Sequence, residues 1–356
     1  MKTILTTSLP TVNWWLTVIK MNRKIIFPAA FSFILAAASC LYYIHGPRVN
    51  ELVFPEINGI RQAMLIRTRD RNNPVLLYLH GGPGDSLIPC AYVATRDLVN
   101  RFTVVYWDQR GTGLSYRKDL PSDTFTIRQF IDDTKSVTGY LKRRFGKNKI
   151  YLLGHSWGSV LGLLVIQDDP ESYYAYIGAG QVISLASIKS ERIKWLEHQI
   201  SNTNTEDEDR LRIAKENKYE WVDGHSFTGP LIHKYGGYVH NISEDDKDKI
   251  YMGSPYWKLY SWKLYDEGEM ISSPLVNEEE NIDFKKTAQE LRIPIYFFLG
   301  RFDYIAPVQP VVEYYRILKA PRKRIVWFEK SSHHMDIEEP EKFQKEIINI
   351  LDENGR

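Results

Sequence analysis

Ser156 lies in Gly154-His155-Ser156-Trp157-Gly158, directly after the apolar run Ile150–Leu153 and just before Val160–Gln167 (VLGLLVIQ), which reads as a helix. Strand, glycine-flanked serine and helix in that order describe a sharp turn that presents a serine hydroxyl as a nucleophile. The flanking glycines let the backbone pass without a Cβ clash, and the helix N-terminus aims free N–H groups at developing charge. In isolation the two glycines could serve close packing alone. A serine nucleophile needs a base, and the base needs an orienting acid. Asp303 follows the run Ile295–Leu299 (IYFFL) through Gly300-Arg301-Phe302. It would fix the imidazole tautomer and stabilise the imidazolium, although Asp is also a common turn residue before a proline such as Pro307. His333 follows Ile325–Phe328 (IVWF) through Glu329-Lys330-Ser331-Ser332. His334 is its rival, because spacing alone does not separate neighbours. His155 is too close in sequence to swing onto the Ser156 hydroxyl.

Attack on a carbonyl also needs donors for the oxyanion. One should be the backbone N–H of Trp157, the residue after the nucleophile; the other should come from a loop after an earlier strand. Pro74–Leu79 (PVLLYL) ends in His80-Gly81-Gly82-Pro83-Gly84. Gly82 is the first choice of donor and Gly81 the second, since Pro83 has no N–H. The bland alternative is a glycine-rich turn.

These residues need strands that end at one edge. Pro74–Leu79, Phe102–Trp107, Ile150–Leu153, Ile295–Leu299 and Ile325–Phe328 are short apolar runs of the kind buried on both faces. Between two of them, 125–144 has helical spacing, with Ile127, Phe130, Ile131, Thr134, Val137 and Leu141 on one side and Thr124 or Thr126 as cap. Asn58-Gly59 marks a tight hairpin. Strands alternating with helices imply an α/β protein of the α/β-hydrolase fold: a mostly parallel central sheet, helices on both faces and an inserted, mainly helical lid. The core is expected over 51–183 and 286–354, and the lid over 184–285. The lid span holds 20 acids and 13 bases, a formal charge of 13 − 20 = −7, and is rich in aromatics such as Tyr256, Trp257, Tyr260, Trp262 and Tyr265. A disordered linker would be poorer in aromatics. Glu206-Asp207-Glu208-Asp209 reads as a solvated loop.

The chain's net charge of +2, from 46 Lys and Arg against 44 Asp and Glu, shows no basic stripe and gives no reason to expect nucleic acid. Its two cysteines, Cys40 and Cys90, cannot make a multi-bridge framework. No H-E-x-x-H pattern occurs among the nine histidines, so no metal is expected, and no cofactor is implied. Ile25–Ile44 (IIFPAAFSFILAAASCLYYI) is an uncharged run preceded by Lys20, Arg23 and Lys24. It is long enough to span a bilayer, and the leading positive charges favour a cytoplasmic N-terminus. The expectation is a membrane anchor over 25–44 with an extracytoplasmic catalytic domain. A cleaved secretory signal ending near Ala36-Ala37-Ala38 is the alternative, which would leave the domain secreted. Met21-Asn22-Arg23-Lys24 looks like a start, which would make residues 1–20 an upstream part of the 1–24 extension.

The motifs resemble those of the prolyl aminopeptidase (proline iminopeptidase) family of α/β-hydrolase serine peptidases. His80-Gly81-Gly82-Pro83-Gly84 looks like that family's oxyanion loop. Trp107-Asp108-Gln109-Arg110-Gly111-Thr112-Gly113-Leu114-Ser115 is similar to its DQRGxGxS segment, and Gly154–Ser159 to its nucleophile elbow. Gly300-Arg301-Phe302-Asp303 resembles its acid loop. Ser332-His333, followed by Glu338-Glu339-Pro340-Glu341-Lys342-Phe343, resembles its histidine segment, which selects His333 over His334. The resemblance covers about 51–183 and 291–351 and is weak across the lid. There the family's Trp-Glu motif, whose Glu binds the substrate's amino group, is not visible: Glu220-Trp221 is reversed and Trp195-Leu196-Glu197 is spaced differently. Asp108 and Arg110 read as an ion pair that fixes their loop. The resemblance implies an acyl-enzyme on Ser156 and release of an N-terminal residue such as proline from a small peptide. An esterase acting on small uncharged esters is the alternative. An inactive, membrane-tethered binding protein is disfavoured because every catalytic position is filled.

Overall fold

Residues that alternate between two apolar faces build the centre of the molecule. In the computed structural model, which describes residues 49–200, 205–217, 221–222 and 225–355, eight strands form one sheet. They are β1 (Val49–Val53), β2 (Met64–Thr68), β3 (Val75–Leu79), β4 (Thr103–Trp107), β5 (Ile150–His155), β6 (Tyr173–Ala179), β7 (Ile295–Gly300) and β8 (Lys323–Phe328). Their spatial order is β1-β2-β4-β3-β5-β6-β7-β8. The β1–β2 and β2–β4 pairs are antiparallel and the other five are parallel. Along β3, Val75, Leu77 and Leu79 enter one core while Leu76 and Tyr78 enter the other. That period of two is why the run is apolar throughout. The Asn58-Gly59 turn joins the two-residue strands Glu56–Ile57 and Ile60–Arg61, with φ of 45° and 82° at its centre.

Helices cover both faces. On one side lie α1 (Ile127–Phe145) and α2 (Trp157–Asp168), which pack on each other. Thr126 caps α1 by accepting from the Gln129 N–H at 3.2 Å. Gly146 ends it in the left-handed region, φ 62°, where a Cβ is disfavoured. Between β6 and β7 the chain makes the lid: α3 (Leu185–Gln199), α4 (Thr205–Glu216), α5 (Gly229–Lys234), α6 (Glu244–Met252), α7 (Trp262–Ser272) and α8 (Pro274–Glu279). A two-stranded hairpin of Trp221–Val222 and His225–Ser226 interrupts the helices. Three more helices, α9 (Val308–Ile317), α10 (Met335–Glu338) and α11 (Pro340–Glu353), follow β7 and β8.

The acidic run 206–209 is not the solvated loop expected from its charge. It opens α4, where acids suit the positive end of the helix, and Asp207 is buried against Lys234 and the Tyr235 hydroxyl. No helix among the described residues is long and apolar enough to cross a membrane. The expected anchor at 25–44 and the extension before it lie outside those residues.

Candidate active site

Ser156 is held in a conformation that a side chain rarely adopts, φ 53° and ψ −122°, between the end of β5 and the start of α2. Such strain persists only where the surroundings enforce it. Here the enforcement is close backbone packing. A Cβ on Gly154 would lie 2.2 Å from the Gly158 carbonyl oxygen, and one on Gly158 would lie 2.3 Å from the Leu79 carbonyl oxygen. The elbow therefore presses into β3 at a spacing that only glycine permits.

Asp303 and His333 come together as the strand ends require. The His333 Nδ1–H donates to Asp303 Oδ2 at 2.9 Å, and Asp303 Oδ1 accepts from the Ala306 N–H at 2.7 Å. Both residues are buried. Ser156 and His333 line one cavity, but no hydrogen bond joins them among the described residues. Long contacts of this kind are common before substrate binds. The imidazole rests on Gly180, just past β6, where a Cβ would come within 2.8 Å of its Cε1. Sequence reading missed both β6 and this glycine. Gly178-Ala179-Gly180 after an aromatic run was the available signal.

The other two histidines near the serine are occupied differently. His334 turns away from Asp303 and bonds through Nε2 to the Tyr238 hydroxyl at 2.8 Å. His155 donates Nε2–H to the His333 carbonyl at 2.9 Å, and burial followed by the nearby His333 lowers its pKa to about 3. It braces the loop of His333 as a neutral ring.

Gly81, Gly82 and Trp157 all line the cavity. Neither the Gly82 nor the Trp157 backbone N–H meets a protein acceptor among the described residues, which leaves both available to an oxyanion. Gln109 ties the two sides of this wall together: its Nε2 donates to the His80 carbonyl at 3.2 Å and its Oε1 accepts from the Trp157 indole at 3.1 Å. The Gln109 N–H donates to His80 Nε2, so His80 Nδ1–H must donate to the Gly81 carbonyl. Burial lowers the His80 pKa to about 4, consistent with that neutral tautomer.

Asp108 and Arg110 do not pair with each other, contrary to the sequence reading. Two residues apart in a turn, they leave the backbone in different directions. Arg110 forms a bidentate pair with Asp133 on α1, at 2.8 and 3.0 Å, with both side chains buried. Asp108 accepts from Ser86 Oγ, the Leu114 N–H and the Tyr260 hydroxyl at 2.5, 2.7 and 2.7 Å. Burial outweighs those bonds and raises its pKa to about 6. Asp133 had a signal in the sequence, as an acid on the otherwise apolar stripe of α1.

The cavity holds about 270 Å³. Its lid wall mixes the aliphatic side chains of Leu185, Ile188 and Val276 with the polar ones of Arg192, His233 and Tyr238, and Val182 and Ile305 join from the core. Tyr238 brings a lid aromatic to the cavity, but the aromatic-rich stretch after Tyr256 packs elsewhere. Trp257, Trp262 and Tyr265 pack on one another, with ring centroids 4.8–6.2 Å apart. Among the described lid acids, two reach the cavity, Glu269 at its exposed rim and Glu279 inside it. Glu279 is buried, and no donor lies within hydrogen-bond distance of its carboxylate among the described residues. Burial and then the neighbouring Glu280 raise its pKa, against Arg192, to about 8. Glu197, one alternative to the missing Trp-Glu motif, pairs instead with Lys215. Glu220, the other, lies outside the described residues.

Fold and site together define an α/β-hydrolase with a serine elbow and an Asp–His pair. The alpha/beta hydrolase fold family matches residues 74–202. The probable aminopeptidase YbaC of Bacillus subtilis (strain 168) is 32% identical over 295 residues, covering 81% of this chain and 92% of that protein. A proline iminopeptidase of Heyndrickxia coagulans is 23% identical over 307 residues, 84% of this chain and 97% of its own. Among solved structures, the proline iminopeptidase of Mycobacterium smegmatis superposes with a TM-score of 0.61 at 20% identity, covering 86% of this chain and 98% of that one. The chain belongs to the proline iminopeptidase-like family of α/β-hydrolases and is a serine hydrolase.

Proposed function

We propose that this enzyme is an aminopeptidase that releases an N-terminal residue, with proline or another small residue preferred, from short peptides. Ser156 Oγ attacks the carbonyl carbon of the first residue while His333 Nε2 takes its proton. Asp303 holds the imidazolium. The Trp157 N–H and that of Gly82 or Gly81 receive the oxyanion. His333 then protonates the leaving amine, and water releases the acyl group by the same steps in reverse order. The aminopeptidase names of the relatives support this reading. The observation that carries it is Glu279. Buried and reached by no hydrogen-bond donor among the described residues, this carboxyl group faces the nucleophile's cavity, holds a proton while the cavity is empty, and can give it up to pair with an entering ammonium. The ammonium of a peptide's first residue, with its side chain against Leu185, Ile188 and Val276, fits that description.

A panel of aminoacyl-arylamides set against p-nitrophenyl esters tests the reading. Turnover of prolyl- and alanyl-arylamide is expected. Hydrolysis of acetate esters alone would make the enzyme an esterase.

The localisation we propose rests on the sequence before the catalytic unit. The uncharged Ile25–Ile44 run behind three positive charges supports a tether with the catalytic domain on the extracytoplasmic face. Protease added to intact cells should digest the domain. Full-length protein in the soluble cytosolic fraction would overturn the proposal.

A further inference from the structure

The lid does more than roof the cavity, because one of its segments is tied into the two loops that carry Asp303 and His333. The Gly237 carbonyl accepts from the Tyr304 N–H at 3.0 Å, one residue after the acid, and from Ser332 Oγ at 2.8 Å, one residue before the base. The Tyr238 carbonyl accepts from the His333 N–H at 3.2 Å. The His240 ring stacks on Phe302 with centroids 3.5 Å apart. Arg192 of α3 reaches the same place, donating from Nε to the Tyr304 carbonyl at 3.1 Å and from Nη2 to the Ile305 carbonyl at 2.5 Å.

One side chain closes this knot. The Glu338 carboxylate, buried at the end of α10, accepts three backbone N–H bonds. Oε1 takes that of Ser332 at 2.8 Å; Oε2 takes those of His240 at 2.7 Å and Asn241 at 2.8 Å. Its two oxygens thus join the peptide before His333 to the lid segment that spans the acid and base loops. Bonds to an ionised acceptor are about twice as strong as neutral ones, and a carboxylate can satisfy all three donors at once. An amide cannot: it has one acceptor oxygen, and its NH2 would face an N–H donor.

We propose that Glu338 is a positioning residue, which holds the Asp303–His333 pair in register by clamping lid segment 237–241 to the histidine loop. It touches neither substrate nor the reacting atoms. The inference rests on the triad reading above but not on the choice of substrate. It makes the lid part of the catalytic scaffold, so that movement of this segment would carry the base with it.

The test compares wild type, Glu338→Gln and Glu338→Ala in the full-length protein. One readout is the rate at which a fluorophosphonate labels Ser156. The other is the low-field proton resonance of the His333 Nδ1–H bond to Asp303, assigned by its loss in His333→Ala. Misplacing a catalytic group by about 1 Å can cost on the order of a hundredfold. Glu338→Gln is therefore expected to slow labelling by about 10- to 100-fold and to shift or broaden the resonance. Glu338→Gln is isosteric, so it remains informative if Glu338→Ala does not fold. An unchanged resonance and labelling rate in folded Glu338→Gln would overturn the proposal. Absence of labelling at Ser156 in wild type would instead contradict the nucleophile assignment, and the resonance would still report on the clamp.

Discussion

The two walls of the cavity are made of different material. The core wall is built on close-packed backbone, from which the Ser156 and His333 side chains project. Its parts are the strained Ser156 peptide, the Gly81 and Gly82 amides, the first amide of α2 and the glycines that let β3 and the elbow touch. The lid wall is mostly side chain: Leu185, Ile188 and Arg192 on α3, Val276 and Glu279 on α8, and His233, Tyr238 and Glu269 from the rest of the lid. The backbone parts of the core wall cannot be altered without moving strands, and they fix where the Ser156 and His333 side chains sit. A side-chain wall can be rewritten by substitution without moving the fold. Segment 237–241 is where the two meet, since it belongs to the lid in sequence but holds the loops of the core wall's acid and base.

Breaking the core wall should have the largest effect. Ser156→Ala and His333→Ala are each expected to lower kcat by at least about a thousandfold, because the triad acts as a unit. His334→Ala should retain most activity, since its ring faces Tyr238 and not Asp303. Loss of turnover in His334→Ala with retention in His333→Ala would reverse the assignment. Next comes the support behind that wall. Asp133→Ala leaves the Arg110 guanidinium buried without its carboxylate, which costs about 3–5 kcal/mol of folding stability and is measurable by denaturant unfolding. A change within about 0.5 kcal/mol, the range of ordinary surface substitutions, would show that the pair contributes little.

The lid wall offers a smaller effect with a defined sign. An ordinary glutamate has a pKa near 4.5, and Glu279 in the fold is raised to about 8. The folded protein therefore holds a proton there that the unfolded chain has lost. Stability contributed by this site falls as pH rises from about 4.5 to 8, and is constant outside that window. Glu279→Gln should flatten the fall in Tm between pH 5 and 8 and raise Tm at pH 8. Parallel Tm profiles for the two proteins would show that Glu279 does not titrate in this window.

What could be read in the sequence follows the same division. The nucleophile, acid and base each sit one short loop past an apolar strand, and the glycines around them are demanded by local backbone geometry. Strand, motif and order were therefore visible together. The proline iminopeptidase-like family and the α/β-hydrolase fold were legible from those same segments. Strand β6 was not, because its Tyr-rich sequence lacks the aliphatic run that marks the others. β1 and β2, at the antiparallel edge, were reduced to a hairpin signal. Asp108 and Arg110 looked like partners because they are near in sequence. Their true partners, Tyr260 and Asp133, lie 152 and 23 residues away. The lid was the least legible. The choice of Glu279 from among 20 lid acids depends on how α8 packs over the cavity, and nothing local to the sequence records that.

The central claim is that a serine nucleophile works beneath a lid carboxylate that receives the substrate's amino group. The most direct measurement is kcat/KM for alanyl- and prolyl-arylamide against their N-acetylated forms, in wild type and in Glu279→Gln. Loss of the ammonium partner of this buried group should cost roughly 1–3 kcal/mol, about 5- to 150-fold in favour of the free amine. Glu279→Gln should remove most of that preference by slowing only the free-amine substrates. Equal rates on free and blocked substrates in wild type, or a preference that survives unchanged in Glu279→Gln, would contradict the account.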